Sequence, residues 1–207
     1  MVIISNIVKV GYQYRIDTDA GHRWWVTGKD LAELNVRPGV EIDPEKMQQQ
    51  VVLLQYPRGL NLAVRMLAGR ACSMGEIDRK LKACHYDREV CELVLYKLEK
   101  EGFLNDAEFS SQWIHYRSGQ QYGSRRIRQE LKAKGVSEEQ IDKAMEDCDD
   151  EESLSQAVVY AQKKLRQQKA GDDPVRTRQK VIQALVRRGY DWDIAKKAWT
   201  MAVSQDD

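Results

Sequence analysis

No run of about 18 apolar residues occurs in this 207-residue chain, so no segment is long enough to cross a bilayer as a helix. The opening residues, MVIISNIVKV, have no charged lead-in before a cleavable apolar core. These two absences predict a cytoplasmic protein. Cysteine is scarce: Cys72, Cys84, Cys91 and Cys148 form no CxxC pair, which favours buried thiols over the alternative of a zinc site. Histidine is scarcer, and His22, His85 and His115 stand apart. No Ser-His-Asp or Cys-His order stands out, and neither HExxH nor a phosphate-cradling GxxxxGK loop is present. No catalytic residue, cofactor or metal is therefore expected. Charge of one sign is lacking too, with 33 basic and 32 acidic residues, so net charge alone demands no anionic partner. Its distribution is uneven: residues 151–207 hold 11 basic and 8 acidic residues.

What is present changes character along the chain. Val2 to Val10, Tyr12 to Thr18 and Arg23 to Val26 are rich in β-branched and aromatic residues, and Asp19-Ala20-Gly21 is a turn signal, so a small antiparallel sheet is predicted. Lys29 to Leu34 reads as a helical turn. Arg37-Pro38-Gly39 precedes a short Val40 to Ile42 strand. Asp43 and Pro44 read as the cap and first position of a helix running toward Gln55, ended by Pro57-Arg58-Gly59 at a domain boundary. Trp24 and Trp25 are adjacent, so on a strand they face opposite sides. One of them is then free to meet a partner, meet the helices or stay partly exposed.

From Asn61 onward the strand signal disappears and a repeat of about 50 residues emerges. Leu81, Leu131 and Leu185 are each followed six residues on by a capping residue, Asp87, Ser137 or Asp191. Before each cap lies a connector: Cys84-His85-Tyr86, Lys134-Gly135-Val136 or Arg188-Gly189-Tyr190. Apolar positions follow at helical spacing: Val90, Val94 and Leu98; Ile141, Met145 and Cys148; Ile194, Ala198 and Met201. In the first unit Ser73 and Glu76 form a capping box before Ile77 and Leu81. In the third, Leu154, Val158, Ala161 and Leu165 mark a long helix, which Gly171-Asp172-Asp173-Pro174 breaks before the next. Such units bury too little surface alone and should stack. The fold expected is mainly α: tandem three-helix repeats in an elongated, curved array at 61–104, 105–150 and 151–207, preceded by a small β-rich N-terminal domain at 1–56.

The stretch from Gly102 to Gly135 is the most informative. Asn105 or Asp106 can cap a helix on which Phe109, Trp113 and Tyr116 share one face. After a loop at Ser118 to Gly123, a second helix directs Ile127 and Leu131 one way and carries Arg125, Arg128 and Lys132 on a neighbouring stripe. At the matching positions the first unit has Gly75, Asp78 and Lys82, and the third has Gln179, Ile182 and Val186. Shared packing explains the retained apolar pair but not a basic stripe in one copy. The stripe reads either as an anion-facing surface or as a solvated helix face partly neutralised by Glu130.

Gly102-Phe103-Leu104-Asn105-Asp106, Phe109, Tyr122-Gly123, Arg126-Ile127, Glu130-Leu131 and Lys134-Gly135 together resemble the signature of the RecX family. The order and spacing of about a dozen positions make the match far more specific than a lone glycine motif. Asn105 stands where that family often has Asp, and either residue caps a helix. Arg70-x-x-Ser73-x-x-Glu76-Ile77 is similar to the family's opening repeat. The resemblance spans about residues 61 to 200. It implies a non-enzymatic regulator that occupies the filament of the RecA recombinase, limits recombination and the DNA-damage (SOS) response, and contacts single-stranded and duplex DNA. No membrane partner is implied, and the chain is expected to act as a monomer.

Arg125, Arg128 and Lys132 are the first candidate contacts, with Arg126, Lys163, Lys164, Arg187 and Arg188 next. Clusters at Lys163 to Lys169, Arg176 to Lys180 and Arg187-Arg188 could follow a nucleic-acid backbone or be exposed helix surface. Tyr116 and Tyr122 read as core aromatics, with base stacking the alternative. Asp149-Asp150-Glu151-Glu152 reads as a solvated linker, with a metal site second. Two rival functions remain, a helix-turn-helix transcription regulator and a protein scaffold that ignores nucleic acid.

Overall fold

Alternation decides the N-terminal sheet. In a computed structural model that describes residues 1–146, 150–167 and 173–204, strands β1 (Val2–Val10), β2 (Gln13–Thr18), β3 (Arg23–Thr27) and β4 (Glu41–Ile42) pair antiparallel in the order β3-β2-β1-β4. Ile4, Ile16, Trp24 and Val26 point to one buried face, where Met47 and Val51 complete the core. Between β3 and β4, helix α1 (Gly28–Leu34) starts with a capping box in which Thr27 and Asp30 satisfy each other's backbone donors.

The helix expected to stop at Pro57-Arg58-Gly59 does not stop there. Helix α2 runs Pro44–Gly69, capped by Asp43, with Pro57 inside it. Proline removes one intrahelical donor, and the carbonyl left without it belongs to Leu53, a residue 73% exposed, where water can take the donor's place. Tertiary contacts hold the helix on both sides of the proline. The Gln55 amide donates to the Trp25 carbonyl at 2.5 Å, its oxygen accepts from the Asp87 amide at 2.7 Å, and Arg58 clasps Asp30. Gly59 lies so close to the next helices that a Cβ there would meet Val90 at 3.2 Å. Helix α2 thus serves two cores, Met47 and Val51 in the head and Val52 and Ala63 in the first three-helix unit. Since Pro57 is exposed, Pro57→Ala is expected to raise stability by about 1–2 kcal/mol. The gain is part of the ~3 kcal/mol helix-interior penalty of proline, reduced by the entropy the unfolded chain regains. Chemical denaturation measures this, and a loss of stability would show that the proline shapes a needed bend.

With α2, helices α3 (Met74–Ala83) and α4 (Arg88–Lys100) enclose Ile77, Leu81, Val90, Val94 and Leu98. The capping box at Ser73 and Glu76 is present, and Arg70 grips Glu76 through both guanidinium nitrogens. Residues 1–104 form one compact unit and residues 105–207 a second.

In the second unit, α5 (Asp106–Gly119), α6 (Ser124–Lys134) and α7 (Glu138–Glu146) bury Phe109, Ile114, Ile127, Leu131 and Ile141. Asn105 caps α5, its side-chain oxygen accepting from Ala107 and Glu108 at 3.1 Å. Helices α8 (Asp150–Leu165), α9 (Pro174–Arg187) and α10 (Trp192–Ser204) make the last three-helix group. Asp173 and Pro174 are the cap and first residue of α9, as expected. Two expectations change. Asp150 to Glu152 are not linker but the first turn of α8, where carboxylates suit the positive end of the helix dipole. Met201 is 42% exposed, and the buried face of α10 is instead Ala195, Ala198 and Ala202. These small side chains meet Ala157 and Ala161 of α8, which lets the two helices approach closely. Cys148, Asp149, Lys169, Gly171 and Asp172 lie outside the described residues.

The protein is mainly α, with three-helix domains and a small N-terminal antiparallel sheet. Among the described residues no helix is long and apolar enough to cross a membrane, and no cluster of His, Cys, Asp and Glu could hold a metal ion. The side chains of Cys72 and Cys91 are buried and that of Cys84 is half-buried.

Candidate functional site

Helix α6 starts at a glycine because another backbone occupies the space a side chain would need. Gly123 is its N-cap and offers no side chain to the first-turn donors. Those donors reach instead to the connector after α9: Gly123 N–H donates to the Arg188 carbonyl at 3.0 Å and Arg125 N–H to the Gly189 carbonyl at 3.1 Å. A Cβ on Gly123 would come within 2.4 Å of the Gly189 carbonyl carbon, and one on Gly189 within 2.4 Å of Arg126. Gly189 also has φ +94°, the left-handed region that favours glycine. In the first unit Ser73 does by side chain what this paired-glycine contact does by backbone.

Once α6 is anchored, its periodicity places Ile127 and Leu131 in the core and the basic residues outside. The side chains of Arg125, Arg126, Arg128 and Lys132 are between 41% and 68% exposed, so packing does not require them. Each has a carboxylate partner. Arg125 meets Asp191 at 2.6 Å and Arg126 meets Glu130 at 3.0 Å; Arg128 pairs with Asp142, and Lys132 with Glu138. Asp191, Asp142 and Glu138 are exposed as well, and such pairs contribute about 0–1 kcal/mol each, whereas Glu130 is 16% exposed and holds Arg126 more firmly. A polyanion can therefore displace the exposed pairs at small cost, and the stripe is a partly neutralised surface that still suits anion exchange.

Not every candidate is free in this way. Arg188 turns inward: it donates to the carbonyls of Gln120 and Gln121 at 2.6 and 2.8 Å, and its guanidinium lies 4.3 Å from the Tyr122 ring and 4.4 Å from the Tyr160 ring. It fastens the α5–α6 loop rather than facing solvent. Tyr122 is covered further by Arg117 at 3.8 Å, which removes it as a base-stacking surface. Tyr116 is 56% exposed, so it does not join the core as its spacing suggests, although its ring adjoins Trp113. Lys163 and Arg187 are exposed, while Lys164 is half-buried and donates to Gln167 at 3.0 Å. Of the motif positions, Gly102 and Gly135 are left-handed turns at φ +77° and +87°, Leu104 and Asp106 are buried, and Phe103 is exposed.

Sequence reasoning missed the polar hub beneath the stripe. Glu130 accepts from Arg117 at 2.5 and 2.7 Å, from the Trp113 indole at 3.2 Å and from Arg126 at 3.0 Å. Burial pushes its carboxyl up, but the two guanidiniums and the indole override this and hold it below the usual carboxylate range. The family motif contains Glu130 and not Arg117, and no local period links them. Beside the hub, Ser111, His115, Ser124, Gln156 and Tyr190 line a cavity of about 270 Å³.

Residues 105–145 match the family model described as the second three-helix domain of RecX, and residues 150–199 match its third three-helix domain. The chain is 31% identical over 135 residues to the regulatory protein RecX of Mycobacterium ulcerans (strain Agy99), which covers 65% of this chain and 78% of that one. It is 28% identical over 196 residues to the regulatory protein RecX of Listeria monocytogenes serotype 4a (strain HCC23), covering 94% and 72%. Among solved structures, RecX from Lactobacillus salivarius has a similar fold, with a TM-score of 0.67, 18% identity and coverage of 72% and 97%. A second crystal structure of a regulatory protein RecX has a TM-score of 0.62 at 23% identity over the whole of both chains. From the matched three-helix domains and these relatives, the chain belongs to the RecX family of regulatory proteins.

Proposed function

We propose that this protein is a non-enzymatic regulator that binds the RecA nucleoprotein filament and lowers its ATP hydrolysis and strand exchange, so restraining recombination during DNA repair and the damage response. The observation that carries the reading is the α6 stripe. Packing does not need its four cations, the second of the three repeats alone carries all four, and the pairs of Arg125, Arg128 and Lys132 with exposed carboxylates are weak enough to exchange for phosphates or acidic side chains. Arg125, Arg128 and Lys132 make the first contacts; Arg126, Lys163, Lys164 and Arg187 extend them. Arg188 holds the loop that presents the stripe. In this reading the head at 1–56 and the repeats at 61–104, 105–150 and 151–207 work together as a cytoplasmic monomer.

The test is the rate of DNA-dependent ATP hydrolysis by the matched RecA on single-stranded DNA as this protein is titrated from far below equimolar. Inhibition at substoichiometric amounts is expected, because one bound regulator affects many filament subunits. Replacing Arg125, Arg128 and Lys132 together with Gln is expected to raise the concentration for half-inhibition by about tenfold or more, through loss of charge-assisted contacts. A folded protein that leaves hydrolysis unchanged overturns the reading. A triple variant as potent as the parent removes the stripe from it. Retained preference for one duplex sequence at high salt would point instead to a transcription regulator.

A further inference from the structure

The three repeats end their middle helices with the same turn, and one of them uses the wrong residue for it. His85, Gly135 and Gly189 each donate to the carbonyl three residues back at 2.9 Å, and Tyr86, Val136 and Tyr190 each to the carbonyl five back at 3.2 Å. This pattern places the central residue in the left-handed region, at φ +58°, +87° and +94°. Two repeats have glycine there. The first has histidine, which is disfavoured in that conformation. The ring itself shows what the residue adds: His85 lies parallel to Trp25 of β3, with centroids 4.0 Å apart and planes 10° from each other.

Fastening the sheet to the helices does not require this stack. Gln55 already bridges the Trp25 carbonyl and the Asp87 amide, and Gln13 donates to the Cys84 carbonyl at 3.1 Å. His85 is exposed even with its ring against Trp25. Two cavities of about 290 and 240 Å³ adjoin the stack. Arg23, Lys82 and Arg88 line the first, and Arg65 and the exposed Tyr12 the second. Arg23, Lys82 and Arg88 are exposed and pair with the half-buried Asp17 and Asp78 and the exposed Glu92. Arg65 has no carboxylate partner among the described residues.

A flat aromatic platform between exposed cations is the arrangement that binds single-stranded polynucleotides with little sequence preference. We propose that the Trp25–His85 stack receives an unpaired base of a single-stranded polynucleotide, with Arg23, Lys82, Arg88 and Arg65 taking phosphates on either side. This site lies in residues 1–104 and needs no recombinase.

The experiment is fluorescence anisotropy of labelled oligothymidylate and oligouridylate with the full-length protein alone. His85→Gly keeps the turn, because the other two repeats have glycine there, and removes the ring. It is expected to weaken oligothymidylate binding roughly 5- to 100-fold, to leave a duplex of equal length bound as before, and to keep the protein folded. Equal weakening for the two oligonucleotides supports a platform indifferent to the sugar, and weakening for oligothymidylate alone assigns it to DNA. Arg65→Gln is expected to reduce the slope of log affinity against log salt by about one. A folded His85→Gly protein that binds oligothymidylate like the parent overturns the proposal, and so does an equal loss for the duplex. Either result leaves the filament reading standing, since that reading is measured by ATP hydrolysis with RecA present.

Discussion

Gly123→Ala is expected to cause one of the largest losses of stability of any single methyl added to this protein. The new Cβ would lie 2.4–2.5 Å from the Gly189 carbonyl carbon and oxygen and the Tyr190 amide nitrogen. All three are backbone atoms, so no rotamer change can relieve the overlap. The α9–α10 connector would have to move, and with it would go the two hydrogen bonds that satisfy the start of α6 and the Arg125–Asp191 pair. Overpacking in a core costs about 1–3 kcal/mol when side chains can yield. Here only backbone can yield, and two backbone donors lose their partners at about 1 kcal/mol each, so a loss of about 3–5 kcal/mol is expected, in the range kept for identifiable structural failures. Denaturant unfolding gives the size. Hydrogen exchange gives the place, with the Gly123 and Arg125 amides losing protection first. A variant within 1 kcal/mol of the parent would mean that the two backbones do not touch in solution. Because the same contact presents the α6 stripe, the variant should also lose inhibition of RecA if the stripe is the contact surface.

Much of this site could be read from local pattern. The amphipathic spacing of Ile127 and Leu131 against Arg125, Arg128 and Lys132 depends on helix geometry alone, and the three connectors showed themselves by repetition. Gly123 was visible as a motif glycine and Gly189 as a connector glycine. Their reason was not, because each makes room for a segment far away in the chain, and no local rule encodes that approach. Arg188 read as an exposed cation for the same cause. Its partners are carbonyls 67 and 68 residues earlier and the rings of Tyr122 and Tyr160. The alanine face of α10 was missed because a weakly apolar side chain gives little periodic signal, whereas Met201 gives a strong one and is exposed. Strand alternation left three fates open for one of Trp24 and Trp25; Trp24 is buried in the sheet core, and Trp25 stacks on His85 in the connector between α3 and α4.

The largest misreading, the helix stop at Pro57-Arg58-Gly59, concerns the segment where a second large effect is expected. Asp30 is 1% exposed. Both its oxygens accept from Arg58, at 2.5 and 2.6 Å, and one also accepts from the Thr27 amide at 2.8 Å. Burial alone would push this carboxyl up. The Arg58 guanidinium and the Thr27 contacts override it and hold the carboxyl below its ordinary range. Arg58→Met keeps the length of the stem and leaves a buried carboxylate uncompensated, so a loss of about 3–5 kcal/mol is expected near neutral pH. The guanidinium side chain is 38% exposed, which places the effect toward the lower end. The pH dependence supplies the decisive sign. In the parent the pair contributes stability above the unfolded carboxyl pKa of about 3.9, and this is lost as pH falls through the lower folded value. In Arg58→Met burial raises the folded value instead, so the variant's carboxyl favours folding below about pH 4 and opposes it as pH rises. The difference between the two proteins should therefore shrink on acidification, and Asp30→Asn combined with Arg58→Met should recover part of the loss at pH 7. A gap that stays constant from pH 7 to 4 would mean that the guanidinium stabilises this helix by packing alone, with the charge pair contributing little.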